Sequence, residues 1–452
     1  MTRVLGICAV VFFAASAAAG GEGAGPPKFR GAYRAPPDQM PAARPLDWPA
    51  LDVAVLAGAL ALASYLALRR RSRRGLVALM LASLLYFGFW RGGCVCPIGA
   101  IQNVSRGLFD PGYIVPWAVV AFFALPLVTA LLFGRTFCAA VCPLGAIQDV
   151  VVIKPVKVPP ALAGALGLLP WVYLSAAILL AATGSAFIIC RYDPFVSFFR
   201  LVPIGKWLAP SLPGGTGATA PTLAGRTDLL VLGASALVIG MFVGRAYCRF
   251  VCPYGALLGL LSRASRWRVS ITPDECIQCR LCEDACPFGA IRAPTPERSA
   301  GPMGQGKTRL AWMLATWPIL IAAGAAVGWG AGWGLAGMNA EVNLARRVWA
   351  ERNRKVDGTT DASDAFRRTG RSYDDLYASA NAVRDDFRLG GALLGGFCGL
   401  LIGGRLVRLS VRRRRVDYEA DPAECLACGR CFAYCPREHQ RRKRRAQPGG
   451  PI

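Results

Sequence analysis

The chain contains a single histidine, His439, in the basic run near its C-terminus. A bis-histidine haem needs two imidazoles, so this chain cannot supply one alone. It has no C-x-x-C-H stretch and no H-E-x-x-H stretch, which excludes c-type haem attachment and zincin chemistry. Methionine is also sparse, at 7 residues. The Met- or His-rich stretch that a copper reductase would use is therefore missing. Charge is low as well: Asp, Glu, Lys and Arg make up 17% of the chain, with 27 acidic residues against 52 basic ones.

Apolar residues fill the space that charge leaves. Hydrophobic residues make up 54% of the chain, mean hydropathy is +0.39, and the excess falls in separated blocks. This predicts a polytopic membrane protein rather than two or three globular domains. The net charge of +25 would suit nucleic acid, but the arginines crowd beside apolar blocks, as "RRRSRRG" at 69–75 and "RLVRLSVRRRR" at 405–415. Positive-inside topology explains that pattern with no nucleic-acid partner. The tail "RRKRR" at 441–445 reads as a solvated or headgroup-facing segment.

The opening "MTRVLGICAVVFFAASAAAG" has the basic start, short apolar centre and small residues of a signal peptide over 1–20. A Pro-rich linker over 21–49 would follow outside the cell membrane. Seven further spans are expected: Leu51–Leu68, Leu76–Trp90, Ile114–Phe133, Ala161–Ala182, Leu229–Val243, Leu310–Trp333 and Leu389–Gly404. The first five belong to a membrane domain over 50–260. Spans over 310–333 and 389–404 flank a polar stretch, 334–388, whose patterning predicts amphipathic helices outside. Segments 261–300 and 405–452 then fall inside. The fold class is thus all-α and polytopic, in the bacterial inner membrane with a cytoplasmic C-terminus, carrying a cytoplasmic α+β ferredoxin module split in two.

The split module rests on cysteine. The chain has 17, and most fall in short clusters beside proline, a pattern of metal binding rather than disulfides. "CIQCRLCEDACP" at 276–287 and "CLACGRCFAYCP" at 425–436 are both C-x2-C-x2-C-x3-C-P, the bacterial run for [4Fe–4S]. Four cysteines so close suit a cubane better than zinc, which pairs knuckles across a longer loop. The fourth cysteine of such a run commonly reaches across to a second cluster. One cluster is therefore expected at Cys276, Cys279, Cys282 and Cys435, the other at Cys425, Cys428, Cys431 and Cys286.

A second repeat links membrane segments. "GRTFCAAVCPLGAIQDV" at 134–150 returns as "GRAYCRFVCPYGALLGL" at 244–260, each copy following an apolar run. Two thiolates cannot hold a cubane, but Cys138 and Cys142 with Cys248 and Cys252 make four. They are expected to hold a third cluster, with Pro143 and Pro253 opening helices whose N-terminal dipoles face it. A looser copy, "GGCVCPIGAIQNV" at 92–104, carries Cys94 and Cys96. By span parity it lies on the outer side with Cys190 of "CRYDPF". These three could hold an outer cluster, with Asp193 a candidate oxygen ligand, or form a disulfide. Cys398, mid-span, reads as packing. "DGTTDAS" at 357–363 loosely matches a covalent FMN attachment stretch, but Asp361 stands where glycine is expected, so an ordinary polar turn before a helix is the preferred reading.

At these motifs the chain resembles the NosR/NapH-type membrane polyferredoxins, over about residues 76–290 and 405–436. The resemblance implies an inner-membrane electron-transfer component serving a respiratory reductase. This chain lacks the large N-terminal flavin domain of NosR, adds the C-x-C pair and Cys190, and separates its ferredoxin runs by two spans. The expected function is relay of electrons between a cytoplasmic donor and the quinone pool or a periplasmic flavoprotein or reductase. The alternative is an iron–sulfur redox sensor or maturation factor for a respiratory metalloenzyme. Neither role requires a catalytic residue of its own.

Overall fold

The computed structural model describes residues 47–93, 96–153, 155–185, 193, 199, 227–271, 276–295, 303–410 and 415–446. The expected signal segment, nearly all of the Pro-rich linker, Cys94 and Cys190 lie outside the described residues. Among the described residues four helical segments are long and apolar enough to cross a membrane: Pro49–Leu68, Ala161–Ala182, Lys307–Met338 and Tyr373–Val407. The other three expected spans are also helical but shorter or irregular. Trp117–Phe133 and Thr227–Phe242 have 17 and 16 residues. Arg73–Ser83 runs on into a π-helical stretch, Leu84–Trp90.

The helix Asp47–Leu68 buries Leu56, Leu60, Ala63 and Ala67, a stripe of one face, against Trp117–Phe133 and its continuation. Its Ser64 exchanges a hydrogen bond of 3.1 Å with Thr136, just past the end of that neighbour. Asp52, near the start of the same helix, is buried in an ion pair with Arg91 and accepts from Tyr86 at 3.0 Å. The helix Leu169–Ala182 closes the bundle on the Pro97–Phe109 side.

A long antiparallel hairpin, Met303–Leu335 against Tyr373–Ser410, stands beside this bundle. Glycines make the close approach possible. A Cβ at Gly324, Gly328 or Gly332 would run into the backbone at Gly395, Gly391 or Phe387. This is small-residue packing, the usual device where lipid removes the hydrophobic drive between helices. At 33 and 38 residues the two helices are roughly 50 and 57 Å long, more than the ~30 Å apolar core needs. Their excess carries the polar stretch, which forms Ala340–Arg352, Asp361–Arg368 and the first turns of Tyr373–Ser410, as the patterning predicts. Thr360 caps Asp361–Arg368 in a reciprocal capping box with Ser363, so "DGTTDAS" is a capped turn entering a helix.

The two ferredoxin runs meet although 138 residues separate Gln278 from Val416, which are joined by a hydrogen bond of 3.3 Å. Ile291–Arg292 and Glu419–Ala420 pair antiparallel, with Ile291 opposite Ala420 and Arg292 opposite Glu419. The Asp421 amide extends the ladder to the Ala290 carbonyl at 2.8 Å. One strand comes from each side of the hairpin, so neither half completes the sheet alone.

Candidate metal centres

Each ferredoxin run is a tight loop entering a short helix, Leu281–Asp284 or Arg430–Tyr434. The loops share a backbone signature. Gln278 and Ala427, before the second cysteines, have φ of 50° and 52°; Arg280 and Gly429, after them, have 63° and 77°. Three of these four are not glycine, and left-handed backbone there costs energy that only a specified wrap repays. The turns curl the chain around the cysteines, and the Gln278 amide donates to Cys276 Sγ at 3.4 Å.

Two cavities result. Cys276, Cys279, Cys282 and Cys435 line one, with Ile271 and Tyr418 beside them. Cys286, Cys425, Cys428 and Cys431 line the other, with Phe288, Ile291 and Leu426. Each cavity thus takes three cysteines from one run and the fourth from the other. Among the described residues no three His, Cys, Asp or Glu side chains converge in the arrangement of a single ion. Four thiols lining one pocket fit [4Fe–4S], one thiolate for each iron. Burial pushes the Cys425 thiol up to about 12 and the Cys282 thiol to about 11, and Cys428 and Cys431 also rise. Thiolates therefore need a cation to exist there.

The paired membrane motifs do not stop at helix ends, where the sequence places them. Both chains fold back. After Trp117–Phe133 come Thr136–Ala140, Cys142 and the helix Pro143–Val151; after Thr227–Phe242 come Ala246–Phe250, Cys252 and Pro253–Ser262. Tyr254 Oη donates to the Phe123 carbonyl at 2.6 Å, ten residues before the end of its helix, or roughly 15 Å back along it. The far end of Pro253–Ser262 returns to the level of Phe133, where Trp267 stacks on that ring at 5.4 Å. The cysteines after each fold therefore sit inside the bundle.

The two motifs face each other across an approximate two-fold relation. Cys138, Cys142 and Cys248 are buried and Cys252 half-buried. Cys142 lies in the field of Cys138 and Cys248, and Cys252 in that of all three others. Gln148, from the first copy, donates Nε2 to Cys248 Sγ at 3.3 Å and accepts from the Tyr247 amide at 3.1 Å. Cys252 Sγ caps its own helix by accepting from the Gly255 amide at 3.3 Å. The arginines before the cysteines are exchanged. Arg245 reaches the Cys138 carbonyl and lies 3.3 Å from where a Cβ on Gly145 would be. Arg135 lies 3.1 Å from the same point on Gly255, the equivalent glycine. Both glycines leave room for the opposite guanidinium. Three buried thiols and one half-buried thiol thus come together from two segments.

The third copy repeats the local geometry. Cys96 Sγ accepts from the Gly99 amide at 3.4 Å at the start of Pro97–Phe109, and Gln102, equivalent to Gln148, is buried. Asp193, expected beside Cys190 on the outer face, is buried and accepts from Tyr247 Oη at 3.0 Å, next to Cys248. Phe199 packs on Phe89 at 5.6 Å and lies against Gly88, near Pro143. Asp193 and Phe199 thus lie against the paired motifs within the bundle.

The ferredoxin module is seated on these motifs. Ser262 Oγ donates to the Pro422 carbonyl at 2.7 Å, and Arg73 donates to the Cys428 carbonyl at 2.7 Å. Arg71 pairs with Glu438 at 2.9 Å, donates to the Ile271 carbonyl at 2.7 Å and covers the Phe432 ring at 4.8 Å. Lys157 pairs with Asp284 at 2.8 Å. The sequence reading assigned "RRRSRRG" to topology alone and missed this docking role. The signal lay in a run denser than topology requires, in a chain where acids are few.

Comparison with known proteins follows the same lines. A family described as 4Fe-4S binding domain matches residues 115–157 and 227–272, the two membrane motifs, and a second 4Fe-4S binding domain family matches 269–292. Uncharacterized protein MJ0749 of Methanocaldococcus jannaschii is 38% identical over 66 residues, 15% of this chain and 27% of the relative. YccM of Escherichia coli K12, provisionally named an electron transport protein, is 39% identical over 51 residues, 11% of this chain and 14% of the relative. The chain therefore spans roughly a quarter or less of the curated relatives it matches. No solved structure matches. The chain is an iron–sulfur protein with 4Fe-4S binding domains of ferredoxin type and helices able to cross a membrane.

Proposed function

We propose that the chain is a membrane electron conduit of at least three [4Fe–4S] clusters. Cys276, Cys279, Cys282 and Cys435 would hold the cluster that receives electrons, since Cys279 is exposed, and Cys286, Cys425, Cys428 and Cys431 the next. Cys138, Cys142, Cys248 and Cys252 would hold a third, and Cys94, Cys96 and Cys190 an outer site facing a quinone or periplasmic redox partner. The observation that carries this reading is the seating of the second ferredoxin run on the paired motifs, through Arg135 of the first on the Ala423 carbonyl and Ser262, just past the second, on the Pro422 carbonyl. A bilayer core of ~30 Å is too thick for one tunnelling step, and a relay drawn into the bundle shortens it. The topology that places the ferredoxin module in the cytoplasm has seven spans and follows from the arginines at 69–75. The name of YccM and the resemblance to membrane polyferredoxins support the same role.

The clusters, when bound, supply one-electron chemistry. The protein residues hold the thiolates, exclude water and fix the distances. Purified chain in sealed vesicles containing ferricyanide tests the proposal. External reduced viologen that is confined outside should bleach the trapped ferricyanide, and Cys142→Ser should abolish that bleaching while the ferredoxin EPR signals persist. Bleaching at the wild-type rate in Cys142→Ser would mean that electrons bypass the paired motifs.

A further inference from the structure

We infer that Arg135 is the built-in counter-ion of the cluster at Cys138, Cys142, Cys248 and Cys252 and raises its reduction potential. The inference rests on the reading that these four cysteines hold one cluster.

The two motif copies differ at one telling position. Arg245 is neutralised by Asp149 at 2.7 Å. Its counterpart Arg135 has no such partner, because the residue equivalent to Asp149 is Gly259. Among the described residues no ion pair includes Arg135. The missing carboxylate has a structural cause. A Cβ at Gly259 would lie 3.1 Å from the Ala423 carbonyl, so the ferredoxin backbone crowds the place an aspartate would take.

Arg135 is nonetheless buried, at 6% exposure, and among the described residues its Nε has no hydrogen-bond partner. Nη1 donates to the Ala423 carbonyl at 2.9 Å, two residues before Cys425, and Nη2 points at Cys138 Sγ at 3.9 Å. A buried cation facing only neutral carbonyls and thiols is strongly destabilising. A cubane held by four thiolates is a net anion, and it gains one further negative charge on accepting an electron. Arg135 beside that anion is compensated, and it favours the reduced state over the oxidised one.

The sign is therefore fixed: removing the charge lowers the midpoint potential. EPR-monitored redox titration of wild type, Arg135→Gln and Arg135→Lys in detergent tests it, with iron counted in each sample. At the wild-type midpoint the reduced-to-oxidised ratio in Arg135→Gln should fall at least about tenfold, or ~59 mV for a one-electron couple. Arg135→Lys should stay nearer wild type, and the cluster of Cys276, Cys279, Cys282 and Cys435 should not move. An unchanged midpoint in Arg135→Gln overturns the inference. Should Arg135→Gln fail to assemble the cluster, retention in Arg135→Lys supports the counter-ion role, and loss in both overturns it. Wild type with iron for only two clusters removes the shared-site reading, and the inference with it.

Discussion

Asp149 and Arg245 form a buried ion pair at 2.7 Å, and each partner comes from a different copy of the repeated membrane motif. Arg245 is fully buried and also donates to the Cys138 and Ala139 carbonyls, so one side chain fastens the second copy to the first. Although burial opposes ionisation, Arg245 holds the Asp149 carboxyl below the usual carboxylate range.

Breaking this pair from one side should be costly. Asp149→Asn leaves a buried guanidinium facing a neutral amide, and about 3–5 kcal/mol of stability should be lost. Arg245→Met alone should cost a similar amount, while the double variant should lose clearly less than the sum. Thermal unfolding followed through cluster absorbance measures all three. Additive losses would mean that the two residues act separately.

The exchange of fourth cysteines gives a second prediction. Cys286→Ser should damage the cluster bordered by Cys425, Cys428 and Cys431, and Cys435→Ser the one bordered by Cys276, Cys279 and Cys282. EPR of the two variants separates the signals. If each substitution instead removed the cluster of its own run, the halves would be independent ferredoxin loops.

The iron-free chain should be alkali-sensitive. Burial raises Cys282 to about 11 and Cys425 to about 12, against about 8.5 for a thiol in an unfolded chain. Above about pH 8.5 the unfolded chain releases protons that the folded apo chain keeps, so stability is present below that pH and lost as pH rises toward 11. Circular-dichroism melts of apo protein at pH 8 and pH 10 should show a lower midpoint at the higher pH (about two units apart). In the loaded form iron already holds the thiolates, and the drop should be smaller. Equal drops in both forms would assign the sensitivity to other groups.

Much of the ferredoxin module was legible because its chemistry is local. Eleven-residue spacing fixes which cysteines share a loop, and proline marks where each loop ends. The apolar blocks likewise announced helices, since length and composition decide that alone. The fold-back of Cys142 and Cys252 into the bundle was not legible, because "CP" followed by a short helix reads the same whether it lies at a surface or within a bundle. Only contacts such as Tyr254 on Phe123 distinguish the two. Arg71 and Arg135 were hidden for a related reason. An arginine beside an apolar run satisfies the positive-inside rule, and its second role appears only when the distant partners, Glu438 and Ala423, are in place.

The central claim is that Cys138 and Cys142 have no use without Cys248 and Cys252, and the iron content of purified protein tests it most directly. Wild type should carry about twelve irons from three cubanes, with any outer site additional. Cys142→Ser and Cys252→Ser should each lower the count by about four, and the double variant should lose no more than either single one. Two independent sites, or structural thiols with no metal, contradict the account: the first gives a double variant that loses twice as much, the second an iron count that does not change.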